Sequence, residues 1–90
     1  MDDELKKEFV KVLWAESNYH EDEVAQDIRF LATSVKNNME VFGLMLKLRN
    51  VGRGQPHTFL LDAVEATFKK DDERAKSLIK KWKEMRKYGN

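Results

Sequence analysis

One apolar row constrains this chain more than any other feature. Val24, Ile28, Leu31, Val35, Met39, Phe42 and Leu46 recur in steps of three and four residues without losing phase, the spacing of a buried helical stripe. The row crosses Asn37-Asn38 intact, which predicts one helix over about residues 19–49, roughly 45 Å long at 1.5 Å per residue. A second row, Phe30, Val41, Leu44 and Leu48, lies on its flank. A helix that is apolar on so much of its circumference should be covered on several sides.

Three shorter helices are expected around it. Leu5, Phe9, Val12 and Leu13 place one over about residues 3–16, with acids at its start where the helix dipole favours them. Asn18 followed by Glu21 reads as a capping box opening the long helix. Asn50, Gly52 and Gly54 should end that helix. Beyond Pro56, Phe59, Leu60, Leu61, Ala63, Val64 and Phe68 mark a helix over about 57–69. Ala75, Leu78, Ile79, Trp82 and Met85 mark another over about 72–88. The expectation is therefore a single all-α domain over residues 1–90: a four-helix, mostly antiparallel bundle around a long second helix.

Charge is distributed unevenly beneath a net value of +1. Residues 1–29 carry nine acids against four bases, and residues 30–90 carry thirteen bases against seven acids. A chain polarised in this way either binds something charged or folds one half onto the other. Many of the acids sit in first turns of predicted helices, which leaves one basic edge. On it Lys76, Lys80, Lys83 and Lys87 share a face of the last helix, with Arg53 and His57 in or beside the glycine-containing loop before the third. Such an edge could follow a phosphate backbone, and freed amides at residues 50–57 could hold a phosphate. The same residues also describe a solvated amphipathic face and an ordinary helix reversal. Neither a Walker A nor a dinucleotide pattern is present. Acids lead the last helix, which is poor for a helix-turn-helix reader. Trp14, Trp82 and the phenylalanines fall at core phases rather than among the bases, which weakens a single-strand stacking reading.

Catalysis finds little support. With no cysteine, thiol nucleophiles and cysteine-based metal sites are excluded, and no serine nucleophile motif or acid-base pair in an apolar setting is visible. His20, Glu23 and Asp27 would share a helical face but are commonplace at a helix start, so no metal or cofactor site is assigned. No run approaches membrane-spanning length. The N-terminus is acidic where a signal peptide would be basic, so a cytoplasmic protein without a membrane partner is expected. Val10 and Trp14 widen the first helix's apolar face beyond what one neighbour would cover. They are the candidate interface for another protein, a second copy of the chain included. The preferred reading is a small non-enzymatic protein-interaction or regulatory module. The alternative is a nucleic-acid-associated protein using the edge formed by residues 50–57 and the last helix.

Overall fold

The computed structural model describes residues 3–33, 38–50 and 55–88, with the side chains of 38–42 and 88 outside that description. It is all-helical, with five helices among the described residues. These are α1 (Asp3–Ser17), α2 (Asp22–Thr33), α3 (Asn38–Asn50), α4 (His57–Phe68) and α5 (Asp72–Tyr88). Each helix packs on the next, and α5 returns to α1, closing the circuit. Three of the expected helices lie where the periodicity puts them. The long second helix does not exist as one piece.

Two observations show that α2 and α3 are separate elements that fold back on each other. Lys47 of α3 pairs with Glu23 of α2, although they stand 24 residues apart, and with Asp27 at 3.1 Å. In one helix Lys47 and Glu23 would be about 36 Å apart. A helix of roughly 45 Å would also exceed the longest dimension of the molecule, 29 Å. The apolar phase therefore continues in sequence across a reversal in space, with residues 34–37 outside the described set. The phase consequently fails at its far end. Met45 and Leu48 are buried on α3, while Leu46, the last member of the row, is 65% exposed. Phe30, on the flanking row, is also exposed.

The fifth helix changes the bundle's topology. Leu5 and Glu4 of α1 share a groove with Lys76 and Ile79 of α5, Glu8 pairs with Lys83, and Glu16 meets Arg86. Positions rise together along both helices, so α1 and α5 run parallel. The core between the helices holds Phe9 and Leu13 of α1, Ile28 and Leu31 of α2, and Leu48 of α3, closed by Leu60, Leu61 and Val64 of α4. Ala75, Leu78, Ile79 and Trp82 bring in α5 as the periodicity predicts, whereas Met85 emerges at the surface.

Turn chemistry fixes the remaining corners. The expected capping box at Asn18 does not form: Asn18 Oδ1 accepts from Arg29 instead, and α2 begins at Asp22, in the left-handed region with φ 50°. Between α4 and α5, the Asp71 N–H reaches the Ala66 carbonyl at 2.9 Å and the Lys70 N–H the Thr67 carbonyl at 3.0 Å. That pair of bonds is a Schellman motif, and it holds Lys70 at φ 58°. Asp71 then caps α5, its Oδ1 accepting from the Arg74 N–H at 3.1 Å.

Two outcomes test this geometry. Spin labels on cysteines introduced at positions 23 and 47 should lie within about 20 Å of each other, whereas a separation near 36 Å would restore the single helix. Lys70→Gly removes a left-handed penalty of about 1–2 kcal/mol and adds unfolded-chain entropy of about 0.4–1 kcal/mol. Urea unfolding should therefore show a net stabilisation of about 0.5–1 kcal/mol.

Candidate functional site

Glu16 is an acid placed where the chain would ordinarily put a leucine. It sits in the last turn of α1, on the same inward face as Phe9, Val12 and Leu13, and is 0% exposed. A buried carboxylate persists only if it is paired and hydrogen-bonded. Oε1 accepts from Trp82 Nε1 at 2.7 Å and from Arg86 Nε at 2.8 Å. Oε2 accepts from Arg86 Nη2 and faces His20 Nε2 one turn further on. The guanidinium fork thus grips the carboxylate through both oxygens, and its face lies 3.8 Å from the centroid of the Tyr19 ring. Burial pushes the Glu16 carboxyl upward. The bonds from Arg86, Trp82 and His20, together with the Arg86 charge, outweigh it and hold the group below its ordinary value of 4.5.

The structure places His57 inside the fold. It opens α4, is 2% exposed, and its Nε2 lies 3.1 Å from the Leu48 carbonyl oxygen. Its Nδ1 is buried with no hydrogen-bond partner, a state that ordinarily costs about 1–3 kcal/mol. Burial first of all, then the neighbouring His20 and Arg86 charges, lower its pKa from 6.5 against the opposing effects of Leu48 and Glu16. His57 is therefore turned away from solvent at the start of α4 rather than exposed on the loop, and burial disfavours the charged form that would attract an anion. Arg53, the other loop candidate, lies outside the described residues.

The basic edge is interleaved with acids. Lys83 pairs with Glu8, and Lys76 stands 3.9 Å from Glu73. Lys76, Lys80 and Lys83 line a groove of about 360 Å³ together with Glu4 and Glu8. Lys87 is exposed further along α5. His20, Glu23 and Asp27 do not converge: the two acids turn to Lys47, while His20 turns inward.

On the outer face of α1, Trp14 is 45% exposed and Val10 38%. The Arg29 guanidinium lies 5.2 Å from the Trp14 ring centroid, and its Nε donates to Ser17 Oγ at 3.0 Å. Lys7 and Lys11 are exposed along the same helix, and Asp3, Lys6, Lys7 and Val10 line a shallow depression beside them.

Neither Glu16 nor Arg86 is marked as special in the sequence. Their separation of 70 residues leaves no local spacing to read, and acids at the ends of helix 1 pass as surface residues. The signal available was an acid in the phase of a core row. No family model, characterised protein or solved structure matches the chain. Among the described residues, no helix is long and apolar enough to cross a membrane.

The two buried groups with shifted pKa values, His57 and Glu16, act in the same direction with pH. His57 has a depressed folded pKa, so the unfolded chain takes up the proton first, and stability falls as pH drops below about 6.5. Glu16, also depressed, contributes stability above 4.5 that is lost as pH falls through its folded value. Urea midpoints measured with EDTA present should hold steady above pH 7 and decline in two stages toward acid. His57→Gln should remove the upper stage and leave the lower.

Proposed function

We propose that this chain is a non-enzymatic interaction module that docks another protein through the outer face of α1, centred on Trp14. The observation that carries this reading is the construction around that ring. Trp14 and Val10 stand one turn apart and outward, and Arg29, anchored by Ser17, lies over the indole. Exposed tryptophan and arginine held in fixed geometry are the residue types that dominate interface hot spots, and prior ordering lowers the entropic cost of binding.

The charges around the anchor favour one kind of partner. Lys7, Lys11 and Arg29 surround Val10 and Trp14. A second copy meeting this face would bring lysines against lysines, so a different protein offering apolar side chains flanked by acids fits better. The nucleic-acid alternative draws less support, because Glu4, Glu8 and Glu73 stand among the lysines of α5.

A synthetic amphipathic helix with leucines flanked by glutamates should bind and change the fluorescence of the exposed Trp14, with affinity falling as salt rises. Trp14→Ala should weaken binding by about 30-fold, corresponding to ~2 kcal/mol, and Lys7→Glu with Lys11→Glu should abolish it. Equal binding of a peptide with lysines in place of the glutamates, or a dimer by sedimentation that Trp14→Ala dissociates, would overturn the reading.

A further inference from the structure

The chain has two histidines, and the fold brings both to one place. His20 follows α1 and His57 opens α4, yet their ring centroids lie 5.2 Å apart at 86°. Glu16 completes the set: one ligand atom from each residue lies within 4.8 Å of the other two. We propose that Glu16, His20 and His57 form a binding site for a divalent transition-metal ion of the zinc class, tying the end of α1 and its turn to the start of α4.

The state of His57 argues for a ligand. A carbonyl oxygen can only accept, so the contact with Leu48 places the ring hydrogen on Nε2. Nδ1 then carries a lone pair that is buried and unpartnered. A ring N–H fixed by a backbone carbonyl, with the other nitrogen left bare, is the arrangement that orients metal-binding histidines. A second imidazole and a carboxylate beside it make a donor set suited to zinc or cobalt, whereas magnesium and calcium prefer all-oxygen sites.

The two carboxylate oxygens are held differently. Trp82 and the Arg86 Nε hold Oε1, while Oε2 accepts from Arg86 Nη2 and also faces His20, so a lone pair toward His20 is the one an ion would take. The ion takes the place of the hydrogen between His20 Nε2 and Oε2, and the groups on Oε1 become its outer support. The neutral His20 ring then carries its one proton on Nδ1, and any further proton passes to solvent. Metal–ligand bonds of about 2.0–2.1 Å set tetrahedral donors roughly 3.3 Å apart. The widest gap, which involves His57 and is at most 4.8 Å, therefore closes by up to about 1.5 Å. The short His20–Glu16 contact opens, a movement available to His20, whose side chain is 15% exposed and whose backbone lies in a turn. Arg86 opposes the incoming charge, so the fourth position favours an anionic ligand such as hydroxide or chloride.

Metal-free protein titrated with Co²⁺ tests the site. One ion per chain should bind with the visible absorption of tetrahedral cobalt, Zn²⁺ should displace it, and Zn²⁺ but not Mg²⁺ should raise the melting temperature. His20→Gln and His57→Gln should each weaken Co²⁺ binding by at least about 10-fold, with circular dichroism reporting the fold. Glu23→Gln, which alters a nearby acid engaged with Lys47, should leave binding unchanged. If His57→Gln unfolds, His20→Gln in the exposed turn decides alone. Absence of cobalt absorption at millimolar metal, equal stabilisation by Mg²⁺, or binding that survives loss of His20 would each overturn the proposal.

Discussion

The carboxylate of Glu16 is the constraint around which this fold is arranged. Removing a charge from water costs several kcal/mol even after relaxation, and a ninety-residue core has little stability to spare. The chain meets that cost with three side chains from two places: Trp82 and Arg86 of α5, and His20 beyond α1. Those donors reach Glu16 only if α5 lies along α1 with its second half beside the α1–α2 turn. Satisfying one oxygen pair therefore sets the relative position of the first and last helices. Apolar packing alone would set it less sharply, since Leu5, Phe9 and Ile79 would tolerate sliding.

The same logic accounts for the chain's uneven charge. Its acidic first third and basic remainder are mutual partners: Glu8 with Lys83, Glu16 with Arg86, and Glu23 and Asp27 with Lys47. The exposed pairs among these, unlike the buried Glu16–Arg86, contribute little energy individually. Their value lies in register, because each links segments that apolar contact alone would align loosely. A fold that neutralises itself in this way leaves a weaker field for an external polyanion than the lysine count suggests.

Much of the secondary structure was legible because it is local. The spans of α1, α4 and α5 follow from apolar spacing, helped in α1 and α5 by acids at the first turn, and the structure places them within a residue or two of expectation. The reversal between α2 and α3 was not legible, because the apolar row from Val24 to Leu46 keeps helical phase through it. Periodicity reports which residues face inward, not whether the axis continues, and no glycine or proline marks the place. The polar cluster was hidden for a different reason. Glu16, Trp82 and Arg86 each look ordinary in their own helix, and only the fold makes them neighbours. Trp14 and Val10, by contrast, show themselves as a widening of the α1 stripe, and both lie at the surface.

The parallel pairing of α1 and α5 has a mechanical consequence. Asp3 and Asp72 begin at one pole of the molecule, and Ser17 and Tyr88 end at the other. Tension applied between the start of α1 and the end of α5 would therefore slide the two helices along each other. It would load the Glu8–Lys83 and Glu16–Arg86 links together instead of peeling them apart in turn. A chain of this topology resists stretching through its outermost seam, and the buried carboxylate is the rivet in that seam.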